Sequence, residues 1–203
     1  MIDRNGEVEA TAQGAGGIGE EAGDSMASLA RDVCQAAYLE GDFLLRSGRR
    51  SSFYFDKYRF ESDPRLLSRI TSALRGLVPA GTELLGGLEL GGVPLATALS
   101  LATGIPVVFV RKKAKEYGTA KLAEGPEVTG RRVLVVEDVV TSGGQVVESV
   151  QALREYGAVI ETALCVVDRA GGGAEALGAI GVELRPLFTL ADLEPWMPGS
   201  TGR

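Results

Sequence analysis

The chain is expected to form an α/β protein with a doubly wound parallel sheet, and three observations carry that expectation. Apolar residues fall in short, nearly continuous runs, as strands buried on both faces require: Leu84 to Leu88, Ile105 to Val110, Val133 to Val136, Val159 to Val167 and Val182 to Phe188. Stretches with apolar residues at helical spacing alternate with them. The runs also end on charge or close to it, at Glu89, Arg111, Asp138 and Arg169. An open parallel sheet gathers its ligand beyond the carboxyl ends of its strands, so these four residues mark one edge as the working one.

In chain order, residues 1–24 are rich in Gly, Ala and Glu and poor in apolar side chains, which predicts a disordered extension ahead of a single domain over 25–203. Gly14, Gly16 and Gly19 satisfy a dinucleotide-binding spacing there, but no strand precedes them and no helical pattern follows closely. From Ser25 the spacing of Leu29, Val33 and Ala37 predicts a helix, with Gly41 as its stop. Phe43 to Arg46 and Ser52 to Asp56 then form two short strands around a basic Ser-Gly turn, a hairpin that with the first helix makes a small N-terminal hood. Asp63-Pro64 opens a helix whose buried stripe is Leu66, Leu67, Ile70 and Leu74. Strand Leu84 to Leu88, helix Val93 to Ala102 and strand Ile105 to Val110 follow, with Gly104 closing the helix. After Tyr156-Gly157 come strand Val159 to Val167, a glycine run, a short Ala-rich helix, the final strand and a helical turn from Ala191.

The centre of the chain is RVLVVEDVVTSGGQ, Arg132 to Gln145. Four valine or leucine residues run into the acids Glu137 and Asp138. Val139, Val140, Thr141, Ser142, Gly143, Gly144 and Gln145 follow, and then a helix with Val146, Val147, Val150 and Leu153 at helical spacing. A helix N-terminus offers unpaired backbone N–H groups and partial positive charge, and small residues let an anion approach them closely. Carboxylates repel that anion but accept hydrogen bonds from sugar hydroxyls or lie near a metal ion carried on a diphosphate. Phosphate on the loop and hydroxyls on the acids together describe a ribose 5-phosphate.

Composition narrows the chemistry. With 203 residues, 45% of them hydrophobic, the chain can bury one good core. A formal charge of −6 argues against a role held through nucleic-acid phosphates. No apolar run approaches the roughly 18 residues that span a bilayer, and no basic patch followed by an apolar core opens the chain, so a cytoplasmic protein without membrane contact is expected. Cys34 and Cys165 sit far apart in apolar patterns and are expected to be small buried residues. There is no histidine, which removes Ser-His-Asp and Cys-His catalysis and histidine zinc sites.

Arg111, Lys112, Lys113 and Lys115 put four cations into five residues of an acidic chain, followed by a long stretch of weak apolar content with Gly118 and Gly125 as hinges. A long irregular loop at a strand end, beside a phosphate loop, is expected to be a lid that closes on a diphosphate.

The strand, acidic pair and small-residue loop resemble the phosphoribosyl pyrophosphate signature of the type I phosphoribosyltransferases. RKKAKEYGTAKLAEG, with FLLRSGRRSSFYFDKYRFESDP upstream and VVDR downstream, is similar to the orotate phosphoribosyltransferases over roughly residues 25–190. The resemblance implies an enzyme that converts orotate and phosphoribosyl pyrophosphate to orotidine 5′-phosphate and pyrophosphate in pyrimidine biosynthesis. It implies Mg²⁺ carried on the pyrophosphate, with Asp138 as a candidate ligand, and a homodimer whose basic loop reaches the neighbouring site. It assigns Arg111, Lys112, Lys115 and Tyr117 to pyrophosphate, Lys115 being the mobile catalytic residue. Glu137, Asp138 and the run from Val139 to Gln145 go to phosphoribosyl pyrophosphate, with Asp138 also catalytic. Arg46 and Arg169 fall to the orotate carboxylate, Tyr54 and Phe55 to the edge of its ring, and Thr141 to orotate as well. Three positions depart from the family pattern. Tyr117 stands where histidine is common, Arg46 where lysine is common, and Gly91 where some members carry a basic residue. Transfer to a purine base, or a regulator that senses phosphoribosyl pyrophosphate, are the alternatives. A regulator would need a basic nucleic-acid face, which this acidic chain does not display.

Overall fold

A computed structural model describes residues 26–44, 48, 50–112 and 122–197. The expected extension over 1–24 and the site candidates Arg46, Lys115 and Tyr117 lie outside them.

Two strands set the architecture: β3 (Leu84–Leu88), whose five residues are all buried, and β6 (Val133–Val140), which pairs with it in parallel through Leu84 opposite Val133 and Gly87 opposite Val136. They lie at the middle of a six-stranded sheet in the order β5-β4-β3-β6-β7-β8. Outward from β3 come β4 (Val107–Val110) and β5 (Ala123–Glu124); outward from β6 come β7 (Thr162–Asp168) and β8 (Glu183–Thr189). All neighbours are parallel except the short edge strand β5, which turns back antiparallel on β4. Winding therefore reverses between β3 and β6, and that switch point is where an open α/β sheet leaves a crevice.

Helices cover both faces. On one side lie α1 (Met26–Ala37), α3 (Pro64–Arg75) and α4 (Gly92–Thr103), and their core joins Val33, Ile70, Leu95 and Leu99 to Leu134 and Val136 of β6. On the other lies α5 (Gly144–Glu155), whose Val146, Val150 and Leu153 pack with Val133 and Val135. Alternate residues of β6 thus serve opposite cores, as the pleat dictates. The Asp63 carboxylate caps α3 by accepting from the N–H groups of Arg65 (2.8 Å) and Leu66 (3.0 Å), with Pro64 in the first turn. Both cysteines are buried and free, and the Cys34 thiol faces the Leu193 carbonyl at 3.5 Å.

The expected hood is present as a separate two-stranded sheet, β1 (Tyr38–Leu44) against β2 (Arg50–Phe55). Several boundaries differ from expectation: β1 begins at Tyr38 instead of Phe43, and β7 at Thr162 instead of Val159. α1 ends at Ala37 and the chain enters β1 at once, so Gly41 lies inside a strand, where the pairing register shifts between Glu40 and Phe43. A glycine in a strand interior commonly marks such a bulge. A further short helix, α2 (Tyr58–Ser62), fills the turn between β2 and α3. Most consequential, β6 does not stop at Val136 but runs on to Val140, carrying both acids within it.

Candidate active site

At the carboxyl end of β6 the chain turns through Thr141 and Ser142 into Gly143, whose φ of 73° is left-handed and suits glycine. No side chain caps α5 at this point, so its first N–H groups are presented to whatever lies beyond. A cavity of about 260 Å³ opens there, lined by Glu137 and residues 139–146. Its floor is held from beneath by the glycine run after β7. A Cβ on Gly143 would lie 3.0 Å from the Gly173 Cα, and one on Gly171 would lie 2.7 Å from the Thr141 Cγ2. Close backbone packing explains glycine on both sides of the contact. Thr141, Ser142, Gly144 and Gln145 are exposed toward the opening. The arrangement is an anion cradle at a helix N-terminus, of a size that suits a phosphorylated sugar.

Glu137 and Asp138, both expected to meet that sugar, leave β6 on opposite faces yet remain in contact with each other. Neighbours within one strand point to opposite faces. Glu137 lines the cavity, with one carboxylate oxygen accepting the Asp138 N–H at 3.0 Å. Asp138 is fully enclosed on the other face, its Oδ2 2.6 Å from the Lys57 Nζ. The buried Glu61 carboxyl of α2 lies beside it. A Cβ on Gly91 would collide with the Asp138 carboxylate, so the bare glycine at the entry to α4 makes the room that Asp138 occupies. Burial first, and then the charge of Asp138, push the Glu137 and Glu61 carboxyls up to about 9. Burial alone would lower Lys57, but its hydrogen bond and charge pairing with Asp138 outweigh that and raise it.

Arg111 follows β4 directly, its N–H donating to the Leu122 carbonyl, and its guanidinium approaches Glu124 at 3.6 Å. Lys112 is exposed, and its N–H donates to Glu89 at 3.1 Å, which ties the start of the basic segment to the end of β3. Arg169 is exposed beyond β7, its N–H bound to the Val140 carbonyl and its charge acting on the Tyr38 phenol. Tyr54 is exposed beside Phe43, with ring centroids 5.5 Å apart. Phe55 is half-buried, 5.0 Å from Tyr38 and 6.2 Å from Phe60, and packs against the hood's apolar core.

Sequence reasoning placed Glu89 at the working edge but did not single out Lys57 or Glu61. Lys57 and Glu61 flank a turn with no motif of its own, and only the meeting of the hood with β6 gives them a role. Among the described residues no group of three or more His, Cys, Asp or Glu could hold a metal ion. Asp138, enclosed and paired with an ammonium, does not fit the part of a direct Mg²⁺ ligand.

Comparison with known proteins agrees with the geometry. Residues 74–180 match the phosphoribosyl transferase domain family. The chain is 54% identical over 168 residues to the orotate phosphoribosyltransferase of Nocardioides sp., covering 83% of this chain and 94% of that one. It is 46% identical over 158 residues to the orotate phosphoribosyltransferase of Methanocella arvoryzae, covering 78% and 90%. Among solved structures, the Mycobacterium tuberculosis H37Rv orotate phosphoribosyltransferase in complex with phosphoribosyl pyrophosphate superposes with a TM-score of 0.71 at 38% identity, covering 83% of this chain and 98% of that one.

Proposed function

The chain belongs to the orotate phosphoribosyltransferase family, and from that premise we propose that its cradle takes the 5-phosphate of phosphoribosyl pyrophosphate and that it transfers the phosphoribosyl group to orotate. The observation that carries this reading is the uncapped N-terminus of α5 opening into a cavity that Glu137 also lines. A relative at 38% identity is known in complex with phosphoribosyl pyrophosphate, which supports the same substrate here.

In the reaction, the bond from the anomeric carbon to pyrophosphate breaks as a ring nitrogen of orotate bonds to that carbon, its proton passing to solvent. The electron pair of the broken bond leaves on the pyrophosphate. Positive charge develops on the sugar and negative charge on the departing group. The protein's work is therefore positional and electrostatic, and a chain without histidine can perform it. Thr141, Ser142, Gly143, Gly144 and Gln145 hold the phosphate by hydroxyl and backbone N–H, and Val139 and Val140 set the depth of the floor. Glu137 accepts from the ribose hydroxyls, and Asp138 beside it serves the same substrate. Arg111 and Lys112 stand at the root of the segment that holds the pyrophosphate, with Lys115 and Tyr117 further along it. Arg46 and Arg169 meet the orotate carboxylate, Tyr54 and Phe55 border the ring and Thr141 reaches the same base. Mg²⁺, held by the diphosphate of the substrate, would supply charge neutralisation of the leaving group. The enzyme works in the cytoplasm as a homodimer, each basic segment reaching the neighbouring cleft.

The test is the loss of orotate absorbance in the presence of phosphoribosyl pyrophosphate and Mg²⁺, with adenine, hypoxanthine and uracil in parallel. Consumption of orotate alone is expected. Consumption of a purine, or of no base, would overturn the reading.

A further inference from the structure

The hood and the C-terminal segment meet beside the residues assigned to orotate, and Tyr38 joins them. Tyr38, the first residue of β1, lies opposite Phe55, the last of β2, in the antiparallel ladder. Their rings meet edge to face, with centroids 5.0 Å apart and planes at 73°. Phe55 leans in turn on Phe60 of α2, which is fully buried, at 6.2 Å. At its other end the Tyr38 hydroxyl donates to the Sδ of Met197 at 3.3 Å, at the far end of the described chain. A thioether is a weak acceptor, so that bond adds little stability, and for packing alone a phenylalanine would serve. What the bond fixes is the direction of the ring. Tyr38, Phe55, Met197 and Val139 of β6 are all half-buried and pack against one apolar core, at the working end of the sheet. Burial raises the Tyr38 phenol, and the nearby charge of Arg169, just past β7, works against that rise. Tyr38 therefore borders two groups assigned to orotate, Phe55 and Arg169, although no motif marks it.

We propose that Tyr38 is a positioning residue for orotate: its ring, anchored at the hydroxyl by Met197, sets the tilt of Phe55 where that side chain borders the base beside Arg169. Tyr38 acts through Phe55 and does not touch the base. An aromatic ring carries opposite partial charge on its face and its edge, so its angle decides how well it receives a flat, anionic ring. The C-terminal segment thereby takes part in base recognition without entering the cleft. The phosphate cradle stands on the N-terminus of α5, outside this group of contacts. The inference rests on orotate being the base.

The experiment is steady-state kinetics on the full-length enzyme, each substrate varied while the other saturates, with wild type, Tyr38→Leu, Tyr38→Phe, Met197→Ala, Phe55→Leu and the double variants Tyr38→Phe/Met197→Ala and Tyr38→Leu/Phe55→Leu. Tyr38→Leu is expected to raise the KM for orotate about tenfold while the KM for phosphoribosyl pyrophosphate stays within about twofold, a split that a merely loosened hood would not give. Tyr38→Phe keeps the ring and loses its anchor, and Met197→Ala loses the same anchor from the other side. Each should raise the orotate KM about threefold, and the two together no further than either alone. Tyr38→Leu/Phe55→Leu should have the orotate KM of Phe55→Leu, since an effect routed through Phe55 has nothing left to act on. A wild-type orotate KM in Tyr38→Leu, an equal rise in both KM values, or single effects that multiply in either double variant would overturn the proposal. Should Tyr38→Leu fail to fold, a wild-type orotate KM in Tyr38→Phe would overturn it equally. A wild-type enzyme that consumes no orotate would defeat the functional reading first, and the two failures are thereby distinct.

Discussion

The two walls of the cleft are built on opposite principles. Toward α5 the wall is made by what is missing: Gly143, Gly171 and Gly173 let two backbone segments touch, and the helix end they expose has no cap. Toward the hood it is made of charge: the half-exposed Lys57 meets the buried Glu61 and Asp138. The first wall presents fixed N–H dipoles that need no counter-ion and do not titrate. The second depends on protonation and on the hood staying docked. A phosphate that must be held through every step of the reaction suits the first.

Variants can press on this contrast. The largest effect is expected from the basic segment, where Lys115→Ala should lower kcat about a thousandfold with the thermal midpoint unchanged, since its cation is needed only as pyrophosphate leaves. Turnover at the wild-type rate would remove that segment from the chemistry. Next is the bare wall. Gly143→Ala forces a side chain onto a φ of 73° and to 3.0 Å from the Gly173 backbone, so phosphoribosyl pyrophosphate should bind about a hundredfold more weakly, a change that isothermal titration calorimetry resolves. Affinity within twofold of wild type would mean that the phosphate lies elsewhere.

The smallest effect concerns the charged wall and pH. The Glu61 and Glu137 carboxyls are raised by burial and by Asp138, so they bind protons more tightly folded than unfolded. Their contribution to stability is complete below the unfolded value of about 4.3 and is lost as pH rises through about 9. The thermal midpoint should therefore fall as pH rises from neutral toward that value, and Glu61→Gln, which has no proton to lose, should flatten the decline. An identical slope in the variant would show that Glu61 does not share the buried charge.

Much of this was legible in the sequence because it is local. The strand runs, the Asp63-Pro64 helix start and the small-residue loop after β6 are each carried by neighbours in the chain, and the structure reproduces them. Pairings between distant residues left no such trace. Two acids after Val136 look like the end of a strand, because a buried aspartate is expensive; the strand continues to Val140 because Lys57 and Gly91 supply a counter-ion and a space. Gly41 looks like a helix stop, yet it sits in a strand whose bulge absorbs it. Tyr54 and Phe55 look like one aromatic site, but strand alternation sends them to different surroundings.

The account turns on where the sugar phosphate is held, and a crystal of the protein grown with phosphoribosyl pyrophosphate and Mg²⁺ tests that most directly. Density for the 5-phosphate within hydrogen-bonding distance of the backbone N–H groups between Thr141 and Gln145, with Glu137 at the ribose hydroxyls, is the predicted result. A phosphate bound outside that loop, or an empty cradle at saturating substrate, would contradict it.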